Sequence, residues 1–307
     1  AEAIIKGELM QDFRMETFLA VCRNLNYTKA AEELCITQPA VSQHIRHLEE
    51  YYGTRLFVSE GKKMVLTEAG RLLQSAGLTM RHDEYALKEL LSQAGATERS
   101  LRMGATMTIG EFVLPSMLSS YMLKAPEASV HVTVANTADL LSLIDEGKLD
   151  FALVEGYFSR QDYDYQIYST EKYIPVAGAG YRLRAANDSR KIRTEDLLGE
   201  ALLIREKGSG TREVLERILE GKNLSVKDFR RLHEINNIQV MKYLVQEGRG
   251  ITFLYEAAVR RELAQGCLRE IPLKDFNVEH DFYFVWRKGS IFGGEYKEIF
   301  KQLKDKE

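Results

Sequence analysis

The stretch Thr37 to Gly53, TQPAVSQHIRHLEEYYG, decides how the rest of the chain is read. Thr37 suits an N-cap, its hydroxyl free to accept an orphan backbone N–H, and Pro39 falls just inside the helix start, where a missing N–H costs nothing. Val41, Ile45, Leu48 and Tyr52 recur at three- and four-residue spacing and predict one apolar face. Gln38, Ser42, Gln43, Arg46 and His47 fall on or near the other face, which is polar but almost uncharged in its first turns. Amides and hydroxyls without acidic neighbours suit base edges: Gln pairs at two points with adenine, Arg with guanine, and Ser with several bases. An ordinary solvated face carries more Glu and Lys.

Upstream, Thr28 to Leu34 (TKAAEEL) predicts a shorter helix with Ala30, Ala31 and Leu34 inward, connected tightly through Ile36 and Thr37. Two helices so joined, with small Ala at the crossing and the later one polar outward, form the pattern of a helix-turn-helix that lays its second helix in the major groove. A plain αα-corner is the competing reading. Phe13 to Asn24 predicts a buttressing helix with Phe13, Phe18, Leu19, Val21 and Cys22 on its core side. Leu56 to Val58 and Met64 to Leu66, separated by SEGKK, predict a small hairpin, the wing. Lys62 and Lys63 at its tip would reach phosphates; a solvated turn is the alternative.

These pieces together, NYTKAAEELCITQPAVSQHIRHLEEYYGTRLF followed by LTEAG, resemble the LysR-type transcriptional regulators. The motif elements here are Ala30-Ala31, Thr37-Gln38-Pro39, Leu48-Glu49, Gly53 to Phe57, and Leu66 to Gly70. One departure is Ser59, where the family commonly has Arg at the start of the wing; Lys62 and Lys63 are expected to take over its phosphate contact. The resemblance is specific over the first 95 residues and rests on domain pattern beyond them. It implies a winged helix-turn-helix at 10–66, a linker helix at 67–95 that makes a homodimer, and a bilobal α/β effector domain at 96–307 like that of periplasmic binding proteins. The DNA-binding residues it implies are Thr28, Thr37, Gln38, Pro39, Ser42, Gln43, Arg46, His47, Lys62 and Lys63. Its expected partners are double-stranded promoter DNA, a small effector, a second dimer completing a homotetramer, and RNA polymerase.

Net charge is −3 with a pI near 6.2, so DNA contact has to come from a local patch. Lys29, Arg46, Arg55, Lys62 and Lys63, with His44 and His47, could form it, against Glu32, Glu33, Glu49, Glu50 and Glu60. Cys22, Cys35 and Cys267 are isolated, without CxxC or His spacing, which points to no disulfide framework, no zinc site and a reducing cytoplasm. No run of eighteen apolar residues suggests a membrane span, and the N-terminus lacks a basic region and long apolar core, so export is not expected. Residues 1–9 are set aside from the fold reading.

Thr67 to about Gln93 is the longest helical pattern. Ala69, Leu72, Leu73, Ala76, Met80, Leu87, Leu90, Leu91 and Ala94 form a seam broken only by Asp83-Glu84. Pairing with a second copy is the expected cover, with intramolecular packing as the alternative, and Gly95 to Ser100 reads as a hinge. Beyond it strands and helices alternate. Strands are expected at Leu101–Ala105, Ser129–Ala135 and Asp150–Glu155, with helices at Ile109–Lys124 and Ala138–Glu146 between them. A second set follows: strands Tyr173–Gly178, Ala201–Arg205, Phe229–Ile235 and Gly250–Tyr255, helices Thr211–Gly221 and Ile238–Gln246. Leu268–Pro272 and Asp281–Trp286 are further strands, and Gly294–Lys304 a closing helix. Lobe 1 is placed at about 101–165 and 267–307 and lobe 2 at about 166–266, with crossings near Tyr165 and Cys267.

Ligands of open α/β sheets collect outside the carboxyl ends of strands, where helix N-termini present free N–H groups. That rule selects Thr106, Met107 and Thr108, then Arg205 with the loop EKGSGTRE, then Asn236 and Asn237, and Asn136 beyond the strand at 129–135. In the loop Ser209, Gly210 and Thr211 allow close backbone approach, and Arg205, Lys207 and Arg212 add positive charge, which favours a small anion. The bland alternative is that Ser209 merely caps a helix. REKGSGTRE also looks like the version in LysR-type members linked to sulfur assimilation or carbon fixation.

Two other functions are open to a chain of this texture. A solute-binding protein would make the DNA-reading pattern of the first 95 residues superfluous. A serine hydrolase would need a base oriented by a third group, and the six histidines supply no recognisable partner for Ser209. His131, His233 and His280 read as strand residues, so no enzyme and no cofactor is expected.

Overall fold

The computed structural model describes residues 12–61, 63–92, 100–184 and 192–304. The chain divides into two compact units: Ala1–Ala96 with Leu143–Asp150 and Arg287–Gly293, and Thr97–Ser142 with Phe151–Trp286 and Gly294–Glu307. Residues 1–9, Lys62, Ala94 and most of the expected hinge lie outside the described residues.

In the first unit, α1 (Phe13–Asn24), α2 (Tyr27–Glu33) and α3 (Gln38–Tyr52) precede a hairpin of β1 (Phe57–Glu60) and β2 (Lys63–Leu66), and then the long α4 (Glu68–Ser92). Each short helix is started by its own side chain: Asp12, Asn26 and Thr37 accept from Arg14 N, Lys29 N and Ala40 N. Gly53, at φ 66°, ends α3 in the left-handed conformation that glycine adopts freely. Phe18, Leu19, Ala30, Ala31, Val41, Ile45, Leu48 and Leu56 form the core. Phe13, expected inward, is 58% exposed and instead sets its ring edge-on against His44.

The Leu-Thr-Glu-Ala-Gly motif welds the wing to α4. Thr67 Oγ1 donates to Arg55 O at 2.7 Å and accepts from Gly70 N at 2.9 Å. A Cβ on Gly70 would lie 2.2 Å from Leu56 O, so only glycine lets the helix approach this closely. Further along, His82 Nδ1 contacts Ile144 O at 2.8 Å. Arg287, 1% exposed, donates to Asp145 and to Ser75 O at 3.0 Å each. On the remaining face of α4, Leu72, Met80, Leu90 and Leu91 are 74%, 58%, 44% and 65% exposed.

The second unit is built on β3 (Ser100–Ala105), α5 (Met107–Phe112), α6 (Leu114–Lys124), β4 (Ser129–Val134), α7 (Thr137–Asp145), β5 (Phe151–Val154) and β6 (Tyr163–Gly178). Then come β7 (Ala201–Ile204), α8 (Gly210–Glu220), β8 (Arg231–Glu234), α9 (Ile238–Gln246) and β9 (Ile251–Tyr255). It closes with α10 (Glu256–Ala264), β10 (Leu268–Glu270), β11 (Val278–Arg287) and α11 (Gly293–Lys304). The strands run in the order β4-β3-β5-β11-β6-β9-β7-β8, with β10 added to β6. Parallel pairing joins β3 to β4 and β5, and β7 to β8 and β9, which gives two α/β lobes. β11 is antiparallel to β5, and β6 to β9, so these two long strands carry the chain between the lobes. The return lies later than Cys267: β10 still pairs with Val176–Gly178 at the end of β6, and the chain comes back along β11. The first half of β6 was hidden in sequence because YDYQIYSTEK mixes polar and aromatic residues where a crossing strand is covered only in part. The helix α10 has no apolar repeat to announce it, since EAAVRRELA buries only Ala258 and Val259.

Candidate nucleic-acid interface and anion pocket

With Val41, Ile45 and Leu48 buried, helical geometry turns the opposite side of α3 outward. Gln38, Pro39, Gln43, Arg46 and His47 are exposed and Ser42 is half-buried; Gln38 Nε2 donates to Ser42 Oγ at 2.9 Å. These residues line one open groove together with Arg14, His44 and Glu50. Thr37 caps the helix while remaining exposed, and Thr28 is exposed on α2. Lys63 is exposed on the wing at the first position of β2; Lys62 falls outside the described residues.

The charge balance is slightly more favourable than the count suggests, because Glu33 is engaged by a cation outside the expected patch, while Glu49 and Arg55 cancel one another. Glu33 is held by Arg23 and Asn24, and Glu49 accepts from Arg55 Nη1 and Leu56 N at 2.8 Å each. Lys29, Arg46 and Lys63 carry no ion pair among the described residues. His44 does not join the patch. Its Nδ1 lies 2.9 Å from Thr17 Oγ1, and burial, with Arg14 nearby, pushes the imidazole below its ordinary value.

In the second unit a cavity of about 80 Å³ is lined by Thr106, Met107, Ala135, Asn136, Glu155, Arg205, Glu206, Ser209 and Gly210. It sits at the carboxyl ends of β3, β4, β5 and β7 and at the start of α8. Six of the expected residues meet there: Thr106, Met107, Asn136, Arg205, Ser209 and Gly210. Thr108 and Thr211 stand behind it, both donating to Glu155 Oε1, at 3.2 and 2.7 Å. Asn237 is exposed and caps α9 through Val240 N, away from the lining. Asn136 lines the cavity while its amide is occupied with Asp139, at 2.6 and 2.9 Å. Ser209 makes no side-chain cap hydrogen bond, so capping does not account for it.

Arg205 is 3% exposed and donates through Nε and Nη2 to Glu206 at 2.8 Å each, which leaves Nη1 buried without a partner. Thr106 Oγ1 and Glu155 Oε2 are likewise buried and make no hydrogen bond of ordinary geometry, although the Thr106 hydroxyl is near enough to draw the Glu155 carboxyl down. Unmet buried polar atoms are rare and costly, and three around one cavity mark a place for a polar guest. Arg212, expected to add charge here, turns away to Glu216 and Glu234. Glu155 follows the apolar run FALV and carries no motif of its own; only the strand-end rule that selects the other residues points to it. Burial pushes its carboxyl above the ordinary value, against the pull of the Thr211 and Thr108 hydroxyls and the Arg205 charge. Gly210 admits this closeness, since a Cβ there would lie 2.9 Å from Glu155 Cγ and from Gly156 N.

Comparison with known proteins supplies the family. Residues 94–296 match the LysR substrate binding domain, and residues 13–71 match the bacterial regulatory helix-turn-helix protein of the lysR family. The chain is 29% identical over 272 residues to the HTH-type transcriptional regulator CysL of Bacillus subtilis, covering 88% of this chain and 89% of that one. It is 30% identical over 277 residues to the HTH-type transcriptional regulator CbbR of Rhodospirillum rubrum, covering 90% of each. A full-length OxyR point variant from Pseudomonas aeruginosa shares the fold at a TM-score of 0.58 and 20% identity, over 96% of this chain and 100% of that one. A DNA-reading helix-turn-helix followed by a two-lobed effector domain, each matched by its own family model, places this chain in the LysR family of transcriptional regulators.

Proposed function

We propose that this regulator reads base edges with Gln38, Pro39, Ser42 and Gln43 and holds phosphates or flanking bases with Thr28, Thr37, Arg46, His47, Lys62 and Lys63. Its activity is set by a small anion bound at Thr106, Met107, Asn136, Arg205, Ser209 and Gly210, with Thr108 and Thr211 in support. Residues 10–66 form the DNA-binding domain, 67–95 the dimerising helix and 96–307 the effector domain. The observation that carries the DNA half is the outward, nearly uncharged edge of α3. For the effector half it is the buried, unpartnered Arg205 Nη1.

The exposed Leu72, Met80, Leu90 and Leu91 favour a second copy as the cover of α4; membership of the LysR family is what supports two such dimers as a cytoplasmic tetramer that contacts RNA polymerase. Effector binding at the strand ends biases which quaternary arrangement is populated, and through it DNA bending. No helix among the described residues is long and apolar enough to cross a membrane.

A duplex selected from a random pool by the purified protein tests the reading. Replacing Gln38 by Ala should weaken the selected sequence more than bulk DNA, and equal losses would remove Gln38 from base recognition. Thermal-shift titration of the whole chain with small carboxylates and oxyanions tests the pocket, through stabilisation that Arg205→Gln abolishes.

A further inference from the structure

The cavity beside Arg205 holds acceptors as well as donors. Arg205 Nη1 can only donate; Glu155 Oε2 accepts when ionised and donates when protonated; Thr106 Oγ1 does either. All three sit on side chains at most 3% exposed, and among the described residues none makes a hydrogen bond of ordinary geometry; the Thr106 hydroxyl and the Glu155 carboxyl only influence one another. A simple anion site would place donors alone here. Arg205 moreover already commits two of its N–H groups to Glu206, so no surplus of positive charge offsets a second carboxylate at the cavity wall.

We infer that the pocket selects a small oxyanion that itself carries a hydrogen, as hydrogen phosphate or bicarbonate does, and that Glu155 is the specificity-determining residue. The inference rests on the reading of this cavity as the effector site. An anion with one O–H donates that hydrogen to Glu155 Oε2 while a charged oxygen accepts from Arg205 Nη1. An anion without hydrogen presents lone pairs to both; against the ionised Glu155 the contact is acceptor to acceptor, so such an anion binds only at the added cost of protonating Glu155. The local structure fixes this arrangement: the Thr211 and Thr108 hydroxyls hold Oε1 and leave Oε2 as the open end. Tyr173 Oη in turn donates to Thr211 O at 2.9 Å and anchors the first turn of α8. The first N–H groups of that helix lack intrahelical acceptors and add donors at the cavity. A cavity of about 80 Å³ has room for several waters and so for a small ion, not for a large effector.

The test is calorimetric titration of the whole protein with anions paired by shape, inorganic phosphate against sulfate and bicarbonate against nitrate. The hydrogen-bearing member of at least one pair should bind about tenfold or more tightly than its partner, because a buried acceptor left unmet rejects the analogue lacking the hydrogen. Glu155→Gln, whose amide donates, should shrink that ratio by about tenfold or more. Equal binding within both pairs, or a ratio that Glu155→Gln leaves unchanged, overturns the role of Glu155 while the anion site stands. Binding of none of the four, or binding that Arg205→Gln leaves intact, overturns the anion site itself and this inference with it. Should Glu155→Gln fail to fold by circular dichroism, the wild-type ratios decide alone.

Discussion

Replacing Gly70 by Ala should loosen the winged helix-turn-helix, and replacing Gly77 by Ala seven residues along the same helix should not. At Gly70 the new Cβ would lie 2.2 Å from Leu56 O and 2.8 Å from Leu66 Cδ2. The carbonyl is backbone, and it already accepts from Thr67 N at 3.0 Å, so it has nowhere to go without opening the junction of wing and α4. Overpacking costs about 1–3 kcal/mol, and a backbone obstacle belongs at the upper end of that range. Alanine's better helix propensity offsets at most about 1 kcal/mol. A net loss of about 2 kcal/mol remains, a factor of about 30 in the ratio of closed to open domain. At Gly77 the nearest atom is Met15 Sδ at 2.9 Å. It lies near the end of a flexible side chain that can swing aside, and the two effects cancel to within about 1 kcal/mol. Amide hydrogen exchange at Ile45 and Leu48 in the whole protein reads the difference directly. Protection in Gly70→Ala equal to wild type, or lost equally in both variants, would refute the claim that close approach to Leu56 is what requires glycine.

Arg46→Ala should lower the dependence of log affinity on log salt by about one contact's worth, near 0.9 for a duplex, with little change in sequence preference; an unchanged slope in a salt titration removes Arg46 from the phosphate set. Leu72→Lys combined with Met80→Lys should leave circular dichroism unchanged and shift the sedimenting species toward the monomer, since both side chains are more than half exposed in the single chain. A dimer that survives both changes would send the interface elsewhere. Glu155 gives a pH prediction with a definite sign. Its folded pKa is raised above the ordinary 4.5 by burial, opposed by the hydroxyls of Thr211 and Thr108 and by Arg205, with the buried phenols of Tyr173 and Tyr255 close by. The folded state therefore holds the proton more tightly, and the stability this contributes is complete below pH about 4.5 and lost as pH rises through the raised value. In unfolding titrations Glu155→Gln should flatten this decline, gaining on wild type as pH rises; parallel curves would contradict it.

Most of the framework was legible in local pattern. The helix at 38–52 announced itself through a capping Thr37, Pro39 and an apolar repeat that leaves the reading edge facing outward, all properties of adjacent residues. The βαβ texture of the second unit was equally local, since each strand and helix carries its own periodicity. What sequence misjudged depended on residues far apart in the chain. His44 belongs by sequence to the basic patch, yet its ring is half-buried against Thr17 and Phe13 of another helix. Arg212 belonged to a basic loop, yet Glu216 and Glu234 draw it away from the cavity.

By itself, then, the sequence determined which elements form and which edge of α3 stays polar, because capping and amphipathic spacing act over a few residues. Only the tertiary structure decided what the pocket contains. Strand ends from 105, 134, 154 and 204 must converge before Glu155 stands near Arg205, and burial then converts an ordinary carboxyl after FALV into an unmet polar atom. Burial and partnering are properties of packing between distant segments, and no local pattern records them.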